Sequence, residues 1–316
     1  MTALRGASCL PGGRPVGVHG REPARAPLVS YARAVLSALV CGHVTLDRAR
    51  GGAVPGGSAF YAARALAALG ATPRIVTAAA ADFPMEALSG IDAAVARAPA
   101  TTTFENAYAP GGERSQRVLA AAPRLAGSLV PTAWRSPDLL LLVPVLDELD
   151  VRALVGATRA RFVGLGVQGL VREVGPEGTV RARPLALGAR DLAGVGAAIL
   201  GDDDVGGEPD LVGRLAAMVP VVAFTHGARG CELLVRGRTR RVGSHPAREV
   251  EPTGAGDVFA AAFLLALARG ADPIDAARVG AAAGSIVVEG RGGEAIPRLR
   301  DEVAGRAARV RVESEA

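Results

Sequence analysis

Glu251-Pro252-Thr253-Gly254-Ala255-Gly256-Asp257 runs directly into Val258-Phe259-Ala260-Ala261-Ala262-Phe263. Two glycines stand where a polar loop gives way to an apolar, alanine-rich run, which reads as a helix over 255–268 closing at Arg269-Gly270. A helix start leaves backbone N–H groups unpaired and carries partial positive charge. Glycine lets an anion approach those groups without a Cβ in the way. The backbone of Gly254, Ala255 and Gly256 is therefore a candidate anion hole, of the kind that stabilises charge on a transferring phosphoryl group. Asp257, in the first helical turn, can reach a hydroxyl held beside that hole and accept its proton as the oxygen attacks phosphorus. A plainer reading makes Thr253 a helix cap and Asp257 an acid favoured by the helix dipole, worth about 0.3–1 kcal/mol. The paired glycines weigh against it, because glycine is costly there unless the backbone must do something unusual.

Outward from this segment, short apolar runs alternate with helical ones. Residues 35–40, 74–80, 139–145, 161–165 and 219–225 read as strands, with 139–145 the central one. Residues 58–69 read as an alanine-rich helix stopping at Gly70, and 275–288 as another helix. This alternation implies an α/β chain with a mostly parallel sheet and helices on both faces. Residues 101–122 are polar, β-prone and broken by Pro110-Gly111-Gly112, so they read as two strands projecting from the sheet as a flap. Residues 48–55 form a short excursion, and 201–210, with Asp202, Asp203 and Asp204, read as a solvated loop.

The 316 residues are 49% hydrophobic but only 3% aromatic, so a large core must be filled by Ala, Val and Leu. The formal charge of +5 is uneven: residues 1–34 carry Arg5, Arg14, Arg21, Arg25 and Arg33 against Glu22. They read as a disordered basic extension on a near-neutral body, which with so few aromatics argues against a nucleic-acid partner. All 36 basic residues are arginine. The chain therefore has no lysine for a Schiff base or a Walker A loop. Cys9, Cys41 and Cys231 are too few and too widely spaced for a disulfide framework or a cysteine zinc site. His19, His43, His226 and His245 lack metal-ligand spacing. No apolar run is long enough to predict a membrane span, and no signal peptide is read. A reducing, cytoplasmic compartment is the simplest inference.

Pro252-Thr253-Gly254-Ala255-Gly256-Asp257-Val258-Phe259-Ala260-Ala261-Ala262-Phe263 resembles the C-terminal signature of the ribokinase-like, or PfkB, carbohydrate kinases. The resemblance extends in order over about residues 36–297. Gly42-His43-Val44-Thr45-Leu46-Asp47 resembles the first strand and its aspartate, which implies that Asp47 binds substrate hydroxyls. Gly56-Gly57-Ser58, opening a helix, resembles the substrate-side Gly-Gly motif, and Tyr61 falls where many members carry an asparagine that contacts the sugar. Thr225-x-Gly227-x-x-Gly230 resembles the turn bordering the nucleotide, and 281–293 the helix and loop on the adenine side, which adds Thr225, Gly227, Gly230, Thr253 and Ala283 as expected nucleotide contacts. The resemblance implies a three-layer sandwich over 35–300 with a β lid from about 48–55 and 101–122, and a tail at 301–316. It also implies ATP and Mg²⁺, in many members a monovalent cation, and a sugar or polyol acceptor. Many members pair through their lids, so a homodimer is among the expected assemblies. The lid stretch Thr101–Tyr108, with Pro144-Val145-Leu146-Asp147-Glu148 and Gly166-Val167-Gln168-Gly169, resembles the inositol-kinase-like branch.

Several positions depart from the pattern. Glu251 replaces the usual aspartate before Pro-Thr, beside the expected cation site. The Asn-x-x-Glu motif that organises Mg²⁺ and phosphates is not evident between 185 and 205. Ala189-Arg190-Asp191-Leu192 stands about where it belongs, but Asp191 is not taken as its substitute. Gly164-Leu165-Gly166-Val167-Gln168-Gly169 matches a dinucleotide fingerprint but is broken by Gly175-Pro176 before a helix could follow. Arg114 and Arg117 read as solvated flap residues, His43 as a packed histidine and Cys41 as core filler. Three functions follow: a sugar or polyol kinase, a nucleoside kinase whose base stacks on Phe60 or Tyr61, and a non-catalytic relative that binds ligand through the same cleft.

Overall fold

The computed structural model describes residues 35–49, 52–108 and 114–313, so the basic extension and Cys9 lie outside the described residues. In chain order the first half contains β1 (Ser37–Cys41), β2 (Thr45–Ala49), β3 (Gly52–Gly56), α1 (Ser58–Ala68), β4 (Thr72–Ala79), β5 (Asp92–Arg97), β6 (Thr102–Tyr108), β7 (Arg114–Ala120) and β8 (Leu139–Leu142). There follow α2 (Val151–Gly156), β9 (Phe162–Gly166), β10 (Arg172–Val174), β11 (Val180–Ala182), β12 (Ala197–Gly201), α3 (Leu211–Met218) and β13 (Val221–Thr225). The chain closes with β14 (Cys231–Val235), β15 (Arg238–Val242), α4 (Ala255–Ala268), α5 (Pro273–Val287) and α6 (Leu299–Arg309).

Nine strands form the central sheet in the order β15-β14-β13-β12-β9-β8-β1-β4-β5, parallel from β13 through β5 and antiparallel at β14 and β15. Its inner strands are apolar on both faces because both faces are covered. On β1 and β8, Val40, Leu139 and Leu141 join the cluster beneath α1, α4, α5 and α6. The alternate residues Leu39, Cys41, Leu140 and Leu142 join the cluster beneath α2 and α3. The result is the expected α/β/α sandwich. Alanines Ala59, Ala62, Ala260 and Ala261, all nearly inaccessible, let α1 and α4 pack closely, which is why so few aromatics suffice. α4 is buried on nearly every side, as befits a helix apolar all round. Among the described residues no helix is long and apolar enough to cross a membrane.

A second sheet, ordered β3-β2-β6-β7, is the lid. Its strands bracket the expected 48–55 and 101–122, with β2 beginning slightly earlier. His43 ties it to the body: Nε2 lies 3.0 Å from the Pro123 carbonyl and Nδ1 2.9 Å from Thr102 Oγ1. A carbonyl only accepts, so Nε2 carries the proton, and the Thr102 hydroxyl donates to Nδ1 while accepting from Ala122 N–H at 3.0 Å. One packed histidine thus fixes both roots of the β6–β7 hairpin. The β10–β11 hairpin straps the outer lid strand. The Arg117 guanidinium donates to the Glu177 carbonyl (3.0 and 3.1 Å), and Arg117 bridges Thr179, so this arginine, exposed as expected, is also a lid contact.

The expected tail at 301–316 is instead largely structured. α6 carries Leu299 and Ala307 into the core. Arg306, nearly buried, donates to Glu289 (3.1 and 2.8 Å) and Glu302 (2.8 Å), and Arg298 donates to the same two acids. Gly243 N–H then donates to the Arg311 carbonyl and Glu313 N–H to the Arg241 carbonyl, laying the following residues along β15.

Candidate active site

Gly254 caps α4 in the left-handed region (φ 82°, ψ −4°), and this turn aims the start of the helix at the cleft. A Cβ there would lie 2.6 Å from Tyr61 Cδ1, so the position has neither the conformation nor the room for a side chain. The first intrahelical bond runs from Val258 N–H to the Gly254 carbonyl at 2.9 Å. Gly256 precedes it, and a Cβ on Gly256 would meet nothing within 4 Å. Open space at a helix N-terminus is the space an anion would take. Ala255 differs from the expectation: its N–H turns back to the Pro252 carbonyl at 3.1 Å and serves the turn rather than the cleft. Asp257 lies in the first turn of α4.

The expected substrate-side residues lie on β2, β3 and α1. A Cβ on Gly56 would collide with the Asp47 carboxylate, so the glycine and the aspartate are in close contact. Gly57, at φ 91°, caps α1. Four residues on, Tyr61 is 3% exposed. Burial, then the negative charges of Asp47, Asp257 and Glu251, push its hydroxyl well above the usual phenol range. The two expected carboxylates, Asp47 and Asp257, therefore both act on one phenol. The ring faces of Phe60 and Tyr61 are occupied: Phe60 sits edge-on to Tyr61 at 5.2 Å with the Arg64 guanidinium over it, and Tyr61 lies against Gly254. Neither ring is presented for stacking on a nucleoside base.

On the other side of α4 lies a cleft of about 450 Å³. Thr225, Gly227 and Gly230 of the turn after β13 form one wall, as expected. Gly230 (φ 93°) leaves no room for a side chain against the Val242 carbonyl. Gly256 and Phe259 of α4 form the floor, and Ala281, Gly284 and Ser285 of α5, with Val288 capping its end, the far wall. That wall is one helical face, spaced by threes and fours. Ala283 falls off it and is fully buried in the core instead, which corrects the expected contact. Thr253 sits in the turn leading into α4, whereas Pro252 and Ala255 line the cleft.

Asp191 does not serve as a phosphate-side acid. It binds its own loop, accepting from Gly188 N–H at 2.9 Å, and precedes β12, so it sits at the end of that strand away from Thr225. The acids at the cleft end of β12 are those read as a solvated loop. Asp202 holds His226 Nδ1 and the Arg229 guanidinium, each at 2.7 Å, and so braces the donor-side turn. Asp204 is 6% exposed; Oδ2 accepts from Gly201 N–H at 2.8 Å, while Oδ1 is buried without a partner. Burial raises its carboxyl above the usual carboxylate range. Glu148, quoted above in the run 144–148 without a role of its own, is buried and accepts from the N–H groups of His43, Val145 and Leu146, organising the loop after β8. Glu251 accepts from Gly292 N–H at 3.1 Å.

Among the described residues no group of three or more His, Cys, Asp or Glu could hold a metal. The donor set suits Mg²⁺ carried on phosphates, which needs only one or two protein carboxylates, and the orphaned Asp204 oxygen is one such group. The fingerprint at 164–169 is confirmed as a decoy, since β9 is followed by a short 3-10 turn and β10, with no helix. Cys41 and Cys231 are buried free thiols, pushed up to about 12 by burial.

Residues 197–298 match the pfkB family carbohydrate kinases. The bifunctional protein HldE of Caulobacter sp. (strain K31) is 32% identical over 163 residues, 51% of this chain and 33% of that protein. The aligned parts amount to a third or less of the curated relatives' length. An engineered myo-inositol-3 kinase, converted from a pyrophosphate-dependent myo-inositol-1 kinase, superposes with a TM-score of 0.72 at 18% identity, covering 85% of this chain and 98% of that one. Arabidopsis thaliana ribokinase, solved with ribose and ATP, gives 0.66 at 19% identity over 87% and 99%. The fold is ribokinase-like throughout the body, and the sequence likeness is concentrated in the segment that builds the donor cleft and α4.

Proposed function

We propose that this chain, ribokinase-like in fold and similar to the pfkB carbohydrate kinases over its C-terminal third, phosphorylates a hydroxyl of a sugar or polyol with ATP as donor. One observation carries the reading: a single segment, 252–257, lines an apolar cleft with Pro252, Ala255 and Gly256 and faces Tyr61 of α1 through the Gly254 backbone and the charge of Asp257. Asp47 would hold the acceptor and Asp257 take the proton of the attacking hydroxyl. The acceptor oxygen bonds to the terminal phosphorus as the bond to the leaving diphosphate breaks. The Gly256 amide and the start of α4 would stabilise the charge that develops on the phosphoryl oxygens. Mg²⁺, when bound, supplies charge neutralisation on the donor phosphates, with Asp204 as a carboxylate at that end.

ATP is favoured over pyrophosphate by the wall of Phe259, Ala281, Gly284 and Val288, since a nucleoside gains from apolar burial and pyrophosphate does not. Neither Phe60 nor Tyr61 offers a free ring face to a nucleoside acceptor. A non-catalytic binder is the second reading, favoured by the missing Asn-x-x-Glu and opposed by the intact Gly254, Gly256 and Asp257. The buried free thiols support a reducing, cytoplasmic setting. The test is turnover of ATP and of pyrophosphate across inositols, hexoses, pentoses and nucleosides. One polyol or sugar should drive ATP turnover, and Asp257→Asn should lower kcat by about 10²–10⁴. ATP binding without turnover of any acceptor would move the binder to first place.

A further inference from the structure

We infer that Tyr61 is the positioning residue of the anion hole: its ring, wedged between Gly254 and Gly293, sets the left-handed turn from which the first amides of α4 point into the cleft. The inference rests on the kinase reading for its consequence, though the geometry stands without it. The ring lies on the Gly254 backbone, where a Cβ would be 2.6–2.9 Å from Cδ1, Cγ and Cε1. The same edge, at Cε1, also meets a second left-handed glycine, Gly293 (φ 83°), where a Cβ would be 3.3 Å from it. The two glycine loops are joined on another side by the hydrogen bond from Gly292 N–H to Glu251. A ring and a carboxylate thus hold one loop against the other.

The wedge itself is held firmly. Tyr61 lies in the first turn of α1, its N–H bonded to the Gly57 carbonyl at 3.1 Å, and Phe60 backs it edge-on. An aromatic ring has two side-chain torsions to fix, so it orders a loop at little entropic cost. Asparagine, the residue that the family resemblance expects here, has no ring to fill the space between the loops. Burial, and then the charges of Asp47, Asp257 and Glu251, raise the hydroxyl above the usual phenol range, so the wedge adds no negative charge where donor phosphates must approach.

The experiment compares Tyr61→Phe, which keeps the ring, with Tyr61→Ala, which removes it, and uses Leu154→Ala on the opposite face of the sheet as a stability control. Amide hydrogen exchange at 254–257 should accelerate at least about tenfold in Tyr61→Ala, beyond any change in global exchange, while Leu154→Ala shows only the global change. kcat should fall at least about tenfold in Tyr61→Ala with little change in acceptor KM, and phenylalanine should recover most of that loss. Equal losses in the Phe and Ala variants would overturn the proposal by moving the role to the hydroxyl, and so would unaltered exchange at 254–257 in Tyr61→Ala. If the wild type turns over nothing, the kinase reading falls and the exchange result alone judges Tyr61.

Discussion

Gly254 and Gly256 look alike in the sequence, two glycines around one alanine, but the structure gives them different duties. Gly254 is required by its own backbone and by Tyr61; Gly256 is required by no protein atom around it. Gly254→Ala should therefore lower the melting temperature and kcat together, with a backbone penalty alone of about 1–2 kcal/mol. Gly256→Ala should keep the ligand-free melting temperature within a few degrees but weaken donor binding, because its methyl group enters the anion's space. Melting curves with and without ATP–Mg²⁺ separate the two. At this scale the motif was legible and the division of labour was not, because a backbone angle and a neighbour from residue 61 decide it. Ala283 failed for a related reason, being on the wrong face of its helix.

Elements with one strong periodicity were readable. α4 begins and ends where the alanine-rich run does, and β8 lies within the run expected to be central. α6 was read as tail because its charges mask its pattern; what fixes it is an ion-pair network with a residue outside it, Glu289. β12 was missed because Ala-Ala-Ile-Leu-Gly is short and follows glycines, and with it went the placement of Asp202 and Asp204. The α6 network has a testable sign. Arg306 and Arg298 hold the Glu289 carboxyl at about 2, below its ordinary 4.5. A carboxylate depressed on folding contributes stability that is fully present above about pH 4.5 and is lost as pH falls towards 2. Glu289→Gln should be less stable than wild type at pH 7, and the difference should shrink steadily in denaturant titrations repeated from pH 5 down to pH 2.

The molecule is a body with a strapped lid, and its two sides meet along α4. His43 roots the lid, so His43→Ala should loosen both ends of the β6–β7 hairpin while leaving the donor cleft alone. Acceptor KM should rise by about tenfold or more with donor KM little changed, read from initial rates with each substrate varied in turn. The three layers and the lid were legible from alternation and polarity; the strap was not, because the β10–β11 hairpin is short and polar, and only its contact with Arg117 gives it meaning. The strand order also bears on how the chain folds. From β8 to β15 the central strands are laid down in chain order, each beside the last, whereas β1 enters between β4 and β8 only by pairing Ala38 with Leu139, far along the chain. Local pairings form sooner than those that close long loops. The topology thus favours early assembly of the half that holds Thr225, Phe259 and Val288, with Asp47 and Tyr61 docking last. Under the proposed function, a half-folded chain would have a place for the nucleotide before it had one for the acceptor, and a nucleotide bound there would favour completion of the fold.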